Sequence, residues 1–299
     1  MKKMHADEVD IDSALVGRLL ATQFPHWANL PVEPVQSAGT NNAIYRLGDG
    51  LAVRLPRIIG AIGQLDKEHL WLPRLAPRLP LAIPVPLAMG RSGEGYPWPW
   101  SVSRWLIGES AEQQPLTDQS QAARDLAQFI AALQRIDPAG WPPISPPTSS
   151  RGVPLATRDA PTRAAIAQLS GMIDIVAATA AWEAVLQVPG WSGTPRWTHG
   201  DLLPGNLLVQ QGRISAVIDF GVLGVGDPAC DLIVAWSLLS AQARPVFRAA
   251  LPLDDATWAR GRGWALSIGL IALPYYQRTN PVFAATARQM IDEVLTDRL

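Results

Sequence analysis

The sequence predicts an α+β fold of two lobes, in which a small antiparallel β-sheet lobe precedes a larger and mainly helical lobe. Short β-prone runs separated by turns follow one another between residues 35 and 105, whereas apolar residues recur at helical spacing from residue 117 onward. The length of 299 residues and the 48% hydrophobic content suffice for one large domain or two lobes. The lobes are therefore expected over residues 1–106 and 107–299.

The first lobe is expected to contain an outer helix, a five-stranded sheet and one further helix. Asp12 is a plausible cap for a helix over residues 12–24, in which Leu residues share one face. A second helix is expected over residues 64–75. The predicted strands cover residues 35–38, 43–47, 51–55, 87–90 and 99–105.

The second lobe is expected to consist of helices and one β-hairpin. Residues 207–210 and 213–218 are apolar and β-prone, and Gln211-Gly212 between them favours a turn. The Pro- and Ser-rich residues 137–161 indicate a loop that is too long for a mere connector. Helices are expected over residues 117–136, 162–178, 180–188, 228–240, 245–251, 254–276 and 281–299.

Composition excludes several functions. A net charge of −1 and a pI near 6.4 provide no basic field for nucleic acid. The single Cys230 is expected to be a buried thiol, and the four His residues lack metal-ligand spacing. No apolar segment follows the N-terminal Lys residues as in a signal peptide, and the apolar residues 264–276 are too few to span a bilayer. We expect a cytoplasmic protein without nucleic-acid or membrane partners and leave its oligomeric state open.

The polar groups of the candidate site lie in residues 198–206, THGDLLPGN, and residues 218–221, IDFG. If the hairpin turn is centred between Gly212 and Arg213, position 206 lies opposite position 219, and Asn206 and Asp219 converge on one point. Such a pair of oxygen ligands, completed by phosphate oxygens and water, suits Mg²⁺. Asp201 lies one loop away, near enough to orient a hydroxyl.

The alternative is that Asp201, Asn206 and Asp219 are ordinary turn residues, because Asp, Asn, Gly and Pro are common in turns. Two spaced motifs on either side of a hairpin favour a function instead. The spacing H-x-D-x-x-x-x-N followed by D-F-G is the kinase signature, in which the first Asp accepts the proton of the attacking hydroxyl. The Asn and the second Asp of that signature hold Mg²⁺.

Together with residues 226–232, GDPACDL, these motifs resemble the aminoglycoside phosphotransferase and choline kinase-like family, which has a protein-kinase-like fold. The resemblance extends to macrolide phosphotransferase-like members of that family. The resemblance is dense over residues 197–236 and looser elsewhere. It implies that Asp201 is the catalytic residue, that Asn206 and Asp219 are metal ligands, that Asp231 anchors the catalytic loop and that His199 braces it.

The kinase pattern places a Lys on the third strand, where it contacts the phosphates and pairs with a helix Glu. Here Arg54 stands on the third strand, and Glu68 on the following helix is its natural partner. Arg binds phosphate bidentately but differs from Lys in reach and geometry, and members of the family can carry Arg at this place. Arg54 could instead be a surface residue of an edge strand, with Arg46 or Arg57 in its role.

Two further stretches are candidates for nucleotide contacts. Residues 39–42, including the candidates Gly39, Thr40 and Asn41, form a turn between the first two strands, where backbone N–H groups could lie over phosphates. Residues 103–108 correspond to the hinge of the family, whose backbone pairs with the purine edge; matched through Gly108, these groups fall on Arg104 and Leu106. A hinge that uses backbone does not distinguish ATP from GTP.

The acceptor is expected to be a small molecule with a hydroxyl group. Only residues 222–227 separate Gly221 from the helix expected at Pro228, which leaves no room for the activation segment of protein kinases. Polycationic aminoglycosides would require carboxylates, whereas macrolides, which are apolar and singly charged, would require aromatic walls. The second lobe contains carboxylates at Glu109, Glu112, Asp159, Asp174, Glu183, Asp292 and Glu293, and aromatic residues at Trp141, Trp182, Trp191, Trp236, Trp258, Trp264, Tyr275 and Tyr276.

The leading hypothesis is a Mg²⁺-dependent enzyme that transfers the γ-phosphate of ATP or GTP to an antibiotic of the aminoglycoside or macrolide type. A metabolic kinase acting on an amino alcohol or a sugar derivative is the first alternative. A nucleotide-binding pseudokinase is the second: Arg54 favours it, and the intact Asp201, Asn206 and Asp219 count against it.

Overall fold

The computed structural model describes residues 9–35, 41–140 and 151–297. It divides into two compact units. The first unit contains the residues up to Pro77, Ala82–Ile107 and Ile218–Gly221, and the second contains Arg78–Leu81, Gly108–Val217 and the residues from Val222 onward. The main division falls between Ile107 and Gly108. Two short segments are exceptions: Arg78–Leu81 belongs to the second unit and Ile218–Gly221 to the first. The assignment of the two halves to nucleotide and acceptor stays a prediction.

The first unit is built on a five-stranded antiparallel sheet in the order β1-β2-β3-β5-β4. Alternating residues of β2 and β3 are buried, as expected for strands with one face on a core. The strands are β1 (Val32–Pro34), β2 (Asn42–Leu47), β3 (Leu51–Pro56), β4 (Pro86–Gly90) and β5 (Trp100–Arg104).

The first strand lies earlier than predicted. The expected strand over residues 35–38 is wrong at Val35, which follows β1 and donates its N–H to the Ile44 carbonyl at 2.9 Å; the remaining residues of that prediction lie outside the described part of the chain. Pro34 ends β1, and because β1 is an edge strand it tolerates a residue without an N–H.

Two helices belong to the first unit, α1 (Ser13–Gln23) and α2 (Ile62–Leu75). Both predictions are confirmed within two residues. Asp12 caps α1, because its Oδ1 accepts the Leu15 N–H at 2.7 Å. The buried face of α1 joins Tyr45, Val53 and Trp100 in one core cluster, so the helix covers the sheet.

The second unit is mainly helical. Asp118, Asp174 and Asp254 each accept backbone N–H groups at the start of a long helix. The helices are α3 (Gln119–Arg135), α4 (Asp159–Gln168), α5 (Ile175–Leu186), α6 (Val234–Ser237), α7 (Arg244–Ala249), α8 (Asp255–Tyr276) and α9 (Pro281–Thr296). The strands are β6 (Glu109–Ser110), β7 (Arg196–Thr198), β8 (Leu207–Gln210), β9 (Arg213–Val217) and β10 (Gly224–Gly226).

Three sequence predictions fail in this unit. The expected loop over residues 137–161 contains a 3-10 turn at Leu155–Arg158 and the start of α4. The expected helix over residues 162–178 is two helices, because Gly171 has a φ of +79° and Asp174 caps a new start. The expected helix over residues 228–240 is a 3-10 helix at Pro228–Ile233 followed by the single turn of α6.

The core of the second unit is formed around α8. Trp182, Trp236 and Trp264 are fully buried in this core. Within the described residues, no helix is long and apolar enough to cross a membrane.

Candidate active site

The hairpin β8–β9 follows the candidate catalytic segment, and its register differs from the expected one. Gln210 pairs with Arg213, and after a bulge Leu207 pairs with Val217, so the turn is centred between Gln211 and Gly212. Both turn residues have positive φ, +53° and +74°, as in a tight two-residue turn. The premise that position 206 lies opposite position 219 is therefore wrong. A common ion for Asn206 and Asp219 stays a prediction.

A buried carboxylate accepts hydrogen bonds from the backbone of the candidate catalytic segment. Asp231 accepts the N–H of His199 at 2.8 Å and of Gly200 at 2.6 Å, which confirms its predicted anchoring role. His199 is fully buried, and its Nδ1 accepts the Asp201 N–H at 3.2 Å, so the bracing role of this residue is confirmed as well. Burial raises the pKa of Asp231 to about 7, although the two N–H groups and Arg151 favour its ionised form.

A second buried carboxylate supports the same block. Asp227 pairs with Arg260 at 2.7 Å, and both side chains are almost completely buried. Asp227 also caps the 3-10 helix, accepting the Ala229 N–H at 3.0 Å. Neighbouring Cys230 is buried, as predicted, and burial raises the pKa of its thiol.

Asp201 presents a carboxylate whose two oxygens have different partners. Arg151 Nη2 donates to Oδ1 at 3.0 Å, and Asn206 Nδ2 donates to Oδ2 at 3.0 Å. The same Asn206 nitrogen donates to the Asp201 carbonyl at 2.9 Å. The side chain of Asp201 keeps an exposed fraction of 26%, so a hydroxyl can reach it.

The structure is compatible with Asn206 as a metal ligand. Because both hydrogen bonds use Nδ2, the amide carbonyl oxygen of Asn206 points away from Asp201. In the first unit, Asp219 is 49% exposed and offers carboxylate oxygens. Amide and carboxylate oxygens are the protein ligands that Mg²⁺ accepts beside phosphate and water.

Arg54 is the centre of a polar cluster in the first unit. Its Nη1 contacts Glu68 Oε2, which confirms the predicted pair. Asn42 joins the cluster: in the amide orientation that satisfies both groups, its oxygen accepts from Arg54 Nη2 at 2.9 Å and from Nε at 3.2 Å. Burial acts to lower the pKa of Arg54, but Glu68 and Asp219 raise it. Arg54 is therefore no surface residue of an edge strand, since β3 lies between β2 and β5.

The segment around Asp219 is tied to α2. Asp219 has a φ of +60°, which is unusual for a residue with a side chain, and its Oδ1 accepts the Gly221 N–H at 3.3 Å. Lys67 Nζ donates to the Gly221 carbonyl at 2.7 Å. Burial lowers the pKa of Lys67 to about 8. A Cβ at Gly221 would lie 2.7 Å from Gln64 Oε1, so a larger residue there would require the Gln64 side chain to move.

The other predicted nucleotide residues are partly described. Gly39 and Thr40 lie outside the described residues, and the Asn41 carbonyl accepts the Arg57 N–H at 2.8 Å. Arg104 ends β5, and the next residue, Trp105, donates its N–H to Gly50 at 2.8 Å. Because the C=O and N–H of one trans peptide point in opposite directions, the Arg104 carbonyl is directed away from β3. Leu106 follows and is half-buried.

Most candidate carboxylates for a cationic acceptor have other partners. Asp159 and Glu183 pair with Arg163, Asp174 caps α5, and Glu293 pairs with Arg244. Burial raises the pKa of Glu112. Among the aromatic candidates, Tyr275 is 62% exposed, and Tyr276 is close enough to Asp201 for the two to interact electrostatically. Trp141 lies outside the described residues.

Sequence reasoning missed Arg151, Gln64 and Lys67. Arg151 is 50 positions from Asp201 and follows a Pro- and Ser-rich stretch, so no local pattern points to it. For Lys67, the only signal in the sequence was its position next to Glu68 on the predicted helix. Arg46 and Arg57, the alternatives to Arg54, have no contact with Glu68 among those the structure records in the described part of the chain.

The five-stranded antiparallel sheet of one unit, the helical second unit and the braced H-x-D-x-x-x-x-N segment define the class of kinase-like phosphotransferases. The sequence profile of the phosphotransferase enzyme family, APH, matches residues 32–264. The chain belongs to this family. The predicted family, the kinase-like α+β fold and the predicted enzyme class are thereby confirmed.

Individual relatives are distant. The aminoglycoside 3'-phosphotransferase of Escherichia coli is 38% identical over 58 residues, which cover 19% of this chain and only about a fifth, 21%, of that protein. The GDP and kanamycin complex of an APH(2") enzyme superimposes with a TM-score of 0.72 at 20% identity, covering 95% of this chain and 99% of that chain. The apoenzyme of macrolide 2'-phosphotransferase MphH from Brachybacterium faecium gives a TM-score of 0.60 at 22% identity, covering 96% and 99%.

Proposed function

We propose that the protein transfers the γ-phosphate of ATP or GTP to a hydroxyl group of a small molecule, with an antibiotic of the aminoglycoside or macrolide type as the acceptor. The observation that carries the proposal is the fixed carboxylate of Asp201. Both of its oxygens accept hydrogen bonds, and its backbone is held through His199 and Asp231. A carboxylate held in this way can accept the proton of an attacking hydroxyl.

The similar structures support the choice of substrates. The APH(2") structure with an overall likeness to this chain contains GDP and kanamycin, and another similar structure is of a macrolide 2'-phosphotransferase. Phosphoryl transfer requires the enzyme to position the reactants and to stabilise charge more than to form covalent bonds with them. The fixed Asp201 and the Arg54 cluster can serve these two purposes.

Each site residue has a proposed role. Asp201 orients and deprotonates the acceptor hydroxyl, and Arg54, set by Glu68, binds the nucleotide phosphates together with backbone groups of Gly39, Thr40 and Asn41. Asn206 and Asp219 are the proposed ligands of Mg²⁺, which would neutralise phosphate charge when bound. The backbone of Arg104 and Leu106 is proposed to bind the purine.

The test is a nucleotide-consumption assay with ATP and GTP in parallel against aminoglycosides, macrolides, choline, amino sugars and homoserine. Turnover on an antibiotic is expected, and Asp201→Ala should lower kcat by about 10²- to 10⁴-fold, the usual contribution of a general base. Nucleotide affinity should stay nearly unchanged in that variant, whereas Asp219→Ala should weaken binding of the magnesium-nucleotide complex.

Asp292→Ala serves as the matched control, because this carboxylate lies on the exposed side of α9. Turnover only on choline, an amino sugar or homoserine would replace the antibiotic by a metabolite. Nucleotide binding without turnover on any acceptor would favour a pseudokinase. Full activity of Asp201→Ala would contradict the assignment of the base.

A further inference from the structure

Arg151 contacts Asp201 although the two residues are distant in the chain. The guanidinium Nη2 and the carboxylate Oδ1 are 3.0 Å apart, and the exposed fractions of the two side chains are 18% and 26%. Asn206 holds the other carboxylate oxygen. Two donors from different parts of the second unit therefore fix both the position and the plane of the Asp201 carboxylate.

Glycine residues allow the Arg151 segment to approach so closely. The carbonyl of Gly152 accepts the Asp227 N–H at 2.8 Å, and a Cβ at Gly226 would lie 2.3 Å from that carbonyl oxygen. Gly200, with a φ of +82°, lies next to Asp201, and a Cβ there would lie 2.9 Å from Arg151 Cβ. The contact between Arg151 and Asp201 therefore depends on glycine in the segments that face Arg151 and Gly152. This packing distinguishes it from a pair of flexible side chains on the surface.

The contact places positive charge beside the candidate base. Arg158 lies over the Trp264 ring at 5.0 Å, and burial, followed by the charge of Arg151, lowers the pKa of Arg158 to about 10. Asp159 and Glu183, two carboxylates of the same unit, pair with Arg163 instead. Residues 141–150, which precede Arg151, contain no Asp or Glu.

We propose that Arg151 is a positioning residue for Asp201, and that its charge makes the site select acceptors that do not carry several positive charges. The inference rests on the proposed phosphotransfer. A fixed carboxylate aligns the attacking hydroxyl, and misalignment reduces the rate of transfer more than it reduces binding. Arg151 offsets the negative charge with which Asp201 would otherwise attract a polycation, so the site discriminates against acceptors of that kind. A neutral or singly charged acceptor of the macrolide type fits this site better than a polycation.

The first experiment compares Arg151→Ala, Arg151→Lys and the control Arg163→Ala in the full chain, with the best acceptor from the panel above. Arg163 is a matched control because it also pairs with carboxylates of the second unit, the exposed Asp159 and Glu183. Arg151→Ala is expected to lower kcat on the order of 10- to 100-fold, as for other residues that orient a functional group. Nucleotide affinity should stay within about twofold of the wild type, in line with a role confined to positioning.

Added guanidinium ion should restore part of the activity of Arg151→Ala and none of that of Asp201→Ala. Arg151→Lys should keep an intermediate kcat, because Lys retains the charge but not the planar donor geometry. Unchanged kcat in Arg151→Ala, or a loss of nucleotide binding together with kcat, would overturn the positioning role.

The second experiment compares kcat/KM for an aminoglycoside with that for a macrolide. The wild type should favour the macrolide, and Arg151→Ala should shift the ratio toward the aminoglycoside. A wild-type preference for the polycation, or the same ratio in both proteins, would overturn the selectivity.

A thermal double-mutant cycle of Arg151→Ala and Asp201→Ala tests the contact without any acceptor. Non-additive shifts in Tm are expected, because the two groups interact directly. Additive shifts would overturn the pairing. If no acceptor is turned over but the shifts are non-additive, the proposed function fails and the contact between the two residues stands.

Discussion

Arg54 departs from the kinase motif, but its side chain has well-defined contacts. The kinase pattern has Lys at this position, but the guanidinium contacts Glu68 and Asn42 and lies 3.8 Å from Asp219 Oδ1. A planar group with five donors can satisfy several acceptors at once, which an ammonium on a flexible chain does less well. The surrounding side chains are thus arranged for Arg.

Arg54→Lys is therefore expected to impair the protein although it restores the common motif residue. Lys cannot donate to Glu68 and Asn42 in the same geometry, and a hydrogen bond to a charged group contributes about 1.5–3 kcal/mol. We expect nucleotide affinity, measured by titration calorimetry with the magnesium-nucleotide complex, to fall more than about tenfold.

Arg46→Lys is the matched control on the neighbouring strand, because the Arg46 side chain is 40% exposed and pairs with the exposed Asp49. Equal affinity of Arg54→Lys and the wild type would show that Arg54 does not contact the nucleotide.

At the scale of elements, short segments are held together by glycine contacts and buried carboxylates. β10 pairs with β7 in an antiparallel ladder, with Gly226 opposite Arg196 and Gly224 opposite Thr198. The same β10 lies against Gly152, and the 3-10 helix that follows carries Asp231 to the backbone of the catalytic segment. The position of Asp201 thus depends on elements from residue 151 to residue 231.

Gly226→Ala tests this dependence. The added Cβ would lie 2.3 Å from the Gly152 carbonyl oxygen, so Gly152 and Arg151 must move. We expect a loss of about 1–3 kcal/mol in the free energy of unfolding, as for other overpacked positions, measured by urea denaturation.

The same substitution should lower kcat in the direction of Arg151→Ala, since the arginine leaves its place beside Asp201. Gly190→Ala is the control, because a Cβ there meets no atom within 4 Å. A stable Gly226→Ala protein with wild-type kcat would show that the segment tolerates displacement.

At the scale of the whole molecule, one buried carboxylate contributes to the pH dependence of stability. Burial raises the pKa of Asp231 to about 7, well above the value of an Asp in an unfolded chain. The folded protein therefore binds more protons than the unfolded chain between about pH 4 and pH 7, and this group lowers the free energy of unfolding as the pH rises through that range. Its stabilising contribution is complete below the unfolded pKa and lost above the folded one.

Asp231→Asn should flatten this dependence, because a neutral amide does not titrate. The free energy of unfolding, measured by urea denaturation between pH 4 and pH 8, should fall less steeply with pH in the variant than in the wild type. Asp49→Asn, at a fully exposed side chain, should leave the slope unchanged. Parallel curves for Asp231→Asn and the wild type would contradict the assignment.

Local patterns predicted much of the fold. Asp12 indicated the start of α1, because a capping side chain acts only on the next few residues. The hairpin was visible as two β-prone runs, but its register was not, because Gln211 adopts a left-handed φ that its residue type does not announce. Helix ends set by Gly171 and by the 3-10 geometry after Pro228 were missed for the same reason.

The sequence by itself determined the family, the two-part α+β architecture and the identity of Asp201, Asn206 and Asp219 as candidate site residues, because their spacing is short and local. It also indicated that Arg54 pairs with Glu68, because Arg54 lies on the predicted third strand and Glu68 on the helix that follows it. Only the tertiary structure decided that Arg151 contacts Asp201, that Lys67 donates to Gly221 and that Asp159, Asp174, Glu183 and Glu293 have other partners. These contacts join residues far apart in the chain, and their geometry depends on packing and on glycine positions that no local pattern encodes.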